Sequence, residues 1–285
     1  MSDNTWILTA HCASELGTVD AVTGYLYHNG HYIEELHSFD DKISQRFFIR
    51  ACFRTDGGFD EEKFRTLFEL RADKFDMQWE LQPQNHTPKV VIMVSKFDHC
   101  LNDLLYKNKI GQLNIEIPAI ISNHPDLKPL ADWYQIPYYH LPISADTKPE
   151  QESKLWQIIQ ETDAELVVLA RYMQVLSDDL CKKLEGWAIN IHHSLLPGFK
   201  GAKPYHQAYE KGVKTVGATA HYINSDLDEG PIIAQGIEPV DHTYYPEDLI
   251  AKGRDIERIT LSRAVKYHIE KRVFLNDNRT VVFKD

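Results

Sequence analysis

Asn190 and His192 stand two residues apart at the end of an apolar run, in the stretch N-I-H-H-S-L-L-P-G at 190–198. On a strand, residues two apart point to the same face, so an amide and an imidazole converge just before the chain turns at Pro197-Gly198. Two such groups can donate to one oxygen, which is what the oxyanion of a tetrahedral intermediate requires. Downstream, D-L-D-E-G-P at 226–231 puts Asp228 in a turn ahead of Gly230-Pro231. A carboxylate there can orient His192, share a proton with it or position a water. Read from the residues alone, plainer roles stay open. Asn-x-His is often a structural pair, Asp-Glu-Gly-Pro an ordinary turn, and His193, expected to face away from His192, a packed or capping histidine.

Groups so placed need strands that end on one side of a sheet. Compact apolar runs at Val90–Val94, 119–122 and 166–170 alternate with helical stretches near 98–109, 126–134 and 150–161. That alternation predicts βαβ units and a Rossmann-like α/β domain with a mostly parallel sheet, whose ligands gather at the carboxyl ends of the strands. The polar segment 82–88, with two prolines, reads as a linker. Ahead of it come strand (5–11), helix (17–29), strand (32–39), strand (43–53), helix (60–75) and strand (77–81), the ferredoxin-like β-α-β-β-α-β order. In 43–53, Ile43, Phe47, Ile49, Ala51 and Phe53 share one face, while Ser44, Arg46, Arg50 and Arg54 share the other. That is the pattern of a half-buried strand. The expected domains are 1–84 and 85–285.

A chain of 285 residues fits one or two domains. With 43% hydrophobic and 26% charged residues it is not a disordered chain. Its apolar runs fall far short of the ~18 residues that span a bilayer, and M-S-D-N-T-W has neither the basic nor the apolar region of a secretory signal. Thirty-one basic against 42 acidic residues leave −11, which argues against a nucleic-acid partner. Cys12, Cys52, Cys100 and Cys181 lack CxxC spacing, and the 14 histidines form no HExxH. A zinc site and a disulfide framework are therefore not expected, and a reduced, cytoplasmic compartment is.

Three separated motifs, N-I-H-H-S-L-L-P (190–197), G-A-T-A-H (217–221) and D-L-D-E-G-P-I (226–232), resemble in order and spacing the folate-dependent formyltransferase family. The resemblance implies a 10-formyltetrahydrofolate donor, catalysis by Asn190, His192 and Asp228, and no metal. It also implies no cofactor beyond the folate substrate and no covalent enzyme nucleophile. L-A-R-Y-M-Q-V-L at 169–176 is similar to the family's pterin loop, which implies that Met173, Gln174, Val175 and Leu176 bind substrate, together with Asn224 and Asp226 from the loop before the catalytic acid.

The acceptor is the open point. A glycine-rich loop after the first strand lets backbone N–H groups approach a substrate phosphate; here the loop is V-S-K-F-D-H-C at 94–100, without glycine and with Asp98 facing any anion. A phosphorylated acceptor is therefore not expected, and water can take its place. S-K-F-D-H-C-L-N-D-L-L (95–105), I-S-N-H (121–124) and the pterin loop are similar to the formyltetrahydrofolate deformylases, whose ACT-like N-terminal domain matches residues 1–84. This implies hydrolysis of a formamide-type C–N bond, giving formate for purine synthesis and free tetrahydrofolate. It also implies a homo-oligomer, with an amino acid as candidate effector at the ACT-like domain, although H-C-A-S-E-L-G at 11–17 lacks the usual basic-Pro-Gly. A formyltransferase acting on an amine, or a non-catalytic folate or amino-acid sensor, are the alternatives.

Overall fold

The computed structural model describes residues 4–55, 57–198 and 204–284. The chain forms two compact units. One runs up to His86 and takes in Tyr267–Asn276 and the chain from Val281 onward; the other is Thr87–Lys266 with Asp277–Thr280.

The first unit contains β1 (Thr5–Ala13), α1 (Thr18–His28), β2 (Tyr32–Asp41), β3 (Arg46–Arg54), α2 (Glu61–Ala72) and β4 (Gln78–Pro83). The four strands form an antiparallel sheet in the order β2-β3-β1-β4, the ferredoxin-like arrangement. Asp60 caps α2 by accepting the Lys63 N–H at 2.9 Å, as a short polar side chain does at a helix start. Both helices press onto one face of the sheet, where Leu8, Leu26, Phe47, Ile49, Phe53 and Phe68 form the core.

The structure corrects the reading of 43–53 in two ways. Ile43 is not in the strand: Asp41 accepts the Ile43 N–H (3.0 Å) and the Ser44 hydroxyl (2.9 Å), which makes a turn and leaves Ile43 82% exposed. The strand proper is buried on both faces from Phe47 to Phe53, because a later part of the chain covers the second one. Phe48 packs with Phe274 and Phe283. Arg50, only 2% exposed, donates from Nε to the Glu270 carbonyl (3.0 Å) and pairs with Glu35 (3.2 Å). Arg272 pairs with Glu35 and Glu270, both at 2.9 Å, and Asn276 donates to Asp41 at 2.7 Å. A face that alternation assigns to solvent is thus a second, partly ionic interior.

The second unit is an α/β domain. Its strands are β5 (Val90–Val94), β6 (Ile120–Ser122), β7 (Tyr138–His140), β8 (Leu166–Leu169), β9 (Ala188–His192), β10 (Thr215–Tyr222) and β11 (Ile232–Pro239). Helices α3 (His99–Lys109), α4 (Lys128–Trp133), α5 (Lys148–Glu161), α6 (Asp178–Leu184), α7 (Pro204–Glu210) and α8 (Pro246–Ile269) accompany them. A short pair, β12 (Val273–Asn276) and β13 (Arg279–Val282), follows. The sheet order is β11-β10-β9-β8-β5-β6-β7, parallel from β9 to β7 and antiparallel at β10 and β11. Its central parallel strands β5 and β8 are apolar and buried throughout, as strands covered on both faces must be. The chain runs outward in one direction from β5 to β7 and in the other from β8 to β9. The loops after β5 and β8 therefore part at their carboxyl ends, the place where such sheets open a ligand crevice. Among the described residues no helix is long and apolar enough to cross a membrane.

Candidate functional site

A cavity of about 360 Å³ opens beside that crevice, at the carboxyl ends of β8 and β9, within the range of small-molecule sites. Three strand ends build it. The loop after β8 contributes Met173, Gln174, Val175 and Leu176; β9 contributes Asn190 and His192; and the loop from β10 to β11 contributes Asn224, Asp226 and Asp228. All nine residues singled out from the sequence thus line one cavity. Met173 and Val175 are 50% and 57% exposed, apolar surface left open at the rim, while Leu176 is 9% exposed and also part of the core.

The loop after β8 is tied to its neighbours. The Ser95 hydroxyl, at the end of β5, accepts the Met173 N–H (2.9 Å) and donates to Asn123 Oδ1 (2.6 Å). Glu152 on α5 accepts the Ser177 N–H at 2.9 Å. On the other side, the β9–β10 register sets Asn190 directly opposite His221. Gly230 closes the loop that carries Asp228 and lies so near the Tyr222 carbonyl that a Cβ would sit 1.7 Å from its oxygen.

The polar groups form a connected set. His192 Nδ1 lies 3.1 Å from Asp228 Oδ2, and both side chains are largely buried. Burial alone would raise the Asp228 carboxyl, but the imidazoles of His192 and His221 outweigh it and hold the acid well below the usual carboxylate range. An ionised carboxylate only accepts, so His192 carries its hydrogen on Nδ1. Its Nε2 is then the bare nitrogen, and it is buried with no protein partner. His221 donates from Nδ1 to the Tyr222 carbonyl (2.8 Å), and its Nε2 lies 3.3 Å from Asn190 Nδ2 and 3.7 Å from Asp228 Oδ1. The Asn190 amide nitrogen faces that imidazole with one N–H, and its other N–H remains for a ligand. The site therefore offers a base oriented by a carboxylate beside an oriented amide donor.

Two features depart from the sequence reading. The G-A-T-A-H motif assigns His221 no part; the β9–β10 pairing sets it against Asn190. His193 does not face away. β9 ends at His192, so strand alternation stops there, and His193 lines the same cavity with its ring centroid 5.1 Å from that of His192. Burial first, then the neighbouring Arg171 and His192, lower its imidazole to about 4.

Behind the cavity lies a buried ionic cluster. Glu257 of α8, 1% exposed, meets His99 Nε2 (2.7 Å), the Tyr205 hydroxyl (3.0 Å) and Arg171 Nη1 (3.2 Å). Burial works against its charge, yet His99 and Arg171 keep its carboxyl below the usual value. Among the described residues His99, Cys100 and Glu257 bring ligand-type atoms within 4.8 Å of one another. Glu257 is already committed to three partners, one of them a guanidinium, and burial holds the Cys100 thiol well above its usual value. That donor set fits an ion network rather than a metal.

Residues 88–265 match the family model described as formyl transferase. The chain is 56% identical to a formyltetrahydrofolate deformylase of Corynebacterium sp. (strain P-1) over 279 residues, with 98% of each chain covered. Its structure is similar to that of a formyltetrahydrofolate deformylase from Pseudomonas putida KT2440, with a TM-score of 0.94, 68% identity, and 98% and 100% of the two chains covered. It also resembles glycinamide ribonucleotide transformylase 1 from Symbiobacterium toebii, with a TM-score of 0.66 and 26% identity over 72% of this chain and 98% of that one.

Proposed function

We propose that this chain, which belongs to the formyltetrahydrofolate deformylase family, hydrolyses 10-formyltetrahydrofolate to tetrahydrofolate and formate. The observation that carries the mechanism is the bare Nε2 of His192, buried in the cavity wall while Asp228 holds Nδ1 at 3.1 Å.

Water adds to the formyl carbon as His192 Nε2 takes one of its protons. The resulting imidazolium is stabilised by Asp228, and the oxyanion rests on the free N–H of Asn190 and on His192 itself. The proton then passes to N10 of the folate, the C–N10 bond breaks, and formate and tetrahydrofolate leave. Met173, Gln174, Val175 and Leu176 hold the pterin end, with Asn224 and Asp226 on the facing loop. Asn224 Oδ1 is buried without a protein partner, an acceptor suited to a pterin N–H. No cofactor beyond the substrate enters these steps.

In this reading the enzyme works in the cytoplasm, returns free tetrahydrofolate to the one-carbon pool and supplies formate for purine synthesis. The ferredoxin-like unit acts as an ACT-like regulatory domain, with glycine or methionine as the effector to try first, and the chain assembles as a homo-oligomer. Small folate and amino-acid ligands, rather than a nucleic acid or a membrane, suit the net charge of −11.

The test is incubation of the pure protein with 10-formyltetrahydrofolate and no acceptor. Equal yields of formate and tetrahydrofolate support hydrolysis. Folate binding without turnover sinks it and sends the question to an amine acceptor or a sensor. Amino-acid titration of the rate, and light scattering for assembly size, test the remaining points.

A further inference from the structure

Arg171 sits in the left-handed backbone region (φ +66°) that glycine enters freely and side chains rarely adopt. Its side chain is buried as well, 9% exposed, with Nε and Nη1 lacking any hydrogen bond. An arginine here is thus disfavoured by both backbone and desolvation. Local rules broken this way point to function when the surroundings enforce them. Three elements do so: the Glu257 carboxylate lies 3.2 Å from Nη1, the Phe97 ring centroid lies 5.0 Å from the guanidinium, and His99 and Tyr205 hold Glu257 in place.

The position matters. Arg171 and His193 line the cavity that holds His192, but Phe97, His99, Tyr205 and Glu257 do not. Among the described residues Arg171 and His193 line the catalytic cavity on this side, and the cavity of about 220 Å³ that His193, Tyr205 and Val216 line is a separate one. Transfer of a formyl group to an amine needs a second organic molecule with its nitrogen at the formyl carbon while the folate is bound. That molecule needs a chamber adjoining His192. Water needs only room for itself. The Arg171 guanidinium lies 3.2 Å from the Glu257 carboxylate, so its charge is met inside the cluster.

We propose that Arg171, braced by Glu257 and Phe97, closes the acceptor side of the catalytic centre and thereby selects water over an amine as the nucleophile. The inference rests on the hydrolase reading above. It makes Arg171 a specificity residue, acting on which nucleophile arrives and not on the proton transfers.

The test is Arg171→Gly, a substitution the backbone conformation favours, assayed with 10-formyltetrahydrofolate and glycinamide. Formate, tetrahydrofolate and N-formylglycinamide are measured together by mass spectrometry. In the new reaction the C–N10 bond breaks, a carbon–nitrogen bond to glycinamide forms, and the amine proton goes to N10. Wild type should give formate equal to tetrahydrofolate at every glycinamide concentration. The variant should formylate glycinamide at least about tenfold faster than wild type, the scale on which a space of a methylene or more discriminates, with formate short by the same amount.

Losing Arg171 alone leaves Glu257 without its buried cation, so Arg171→Gly/Glu257→Gln is measured in parallel. Phe97→Ala opens the brace at a residue already 38% exposed and leaves the ion pair in place, so it gives the same readout in a minimally altered fold. Folded variants that bind folate yet keep formate equal to tetrahydrofolate overturn the proposal, as does a wild type that formylates glycinamide. A wild type that releases no formate without amine overturns the hydrolase reading itself, a result separable from the others.

Discussion

Asp228 does two jobs that a neutral isostere separates. Its charge stabilises the imidazolium of His192, and its geometry keeps the hydrogen on Nδ1. Asp228→Asn keeps the shape and loses the charge, so hydrolysis should be abolished. Folate affinity should stay within about tenfold, because one hydrogen bond to a neutral ligand is worth ~1 kcal/mol. His192→Ala should lower kcat by ~10²-fold or more, the scale of one acid–base or oxyanion group. Steady-state kinetics decide: a loss confined to KM would make His192 a binding residue. His193 carries a different prediction. Its imidazole titrates at about 4 in the folded chain, against 6.5 when unperturbed. As pH falls from 6.5 towards 4 the unfolded chain takes up a proton that the folded chain refuses, so stability drops across that window and is unaffected above it. Tm measured against pH should fall less steeply in His193→Asn than in wild type. Parallel curves would show that this imidazole contributes nothing to acid sensitivity.

At the scale of elements, the turn between β10 and β11 is where the site is most brittle. Gly230 leaves no room for a Cβ, because Tyr222 is fixed by its N–H donating to the Pro231 carbonyl (2.9 Å) and by its own carbonyl accepting from His221 Nδ1 (2.8 Å). Gly230→Ala must push the loop off that carbonyl and carry Asp228 away from His192. A cost of about 1–3 kcal/mol, typical of overpacking, should appear in thermal unfolding, with a fall in kcat larger than any rise in KM. Unchanged kcat would detach the turn from catalysis. Much of this framework was legible in the chain: β5, β6, β8 and the early helices stand out because apolar runs of strand length alternate with helical ones. α8 did not, for it carries Lys252, Arg254, Asp255, Glu257 and Arg258, and Glu257 points inward against every expectation for a charged helix position. β3 misled for the same reason, since Arg50 reads as solvent-facing until its partners at Glu35 and Glu270 are known. Within the site, side chains announced by type and spacing were readable. His221 needed strand register to reveal its partner, and Arg171 needed a backbone angle that no residue pattern encodes.

For the whole molecule, the segment from Tyr267 onward changes what a domain deletion does. Removing residues 1–84 would, on a simple two-domain reading, spare the chemistry. The structure shows Phe274 and Phe283 packed on Phe48, and Arg272 and Asn276 on Glu35 and Asp41. The deletion strips these residues of their partners and uncovers an apolar, charged patch. The truncated chain should therefore aggregate, as light scattering will report. A soluble, monodisperse and active truncation would show that the segment folds elsewhere.

The same cover has a consequence in time. Arg50 waits for a carbonyl encoded 220 residues later, and translation at 5–20 residues per second puts about 10–40 s between the two. Throughout that interval the nascent sheet shows the ribosome surface and its chaperones a face with Phe48 and an arginine that has Glu35 beside it but not yet its carbonyl partner. The N-terminal unit is therefore the first to be made and among the last to be finished.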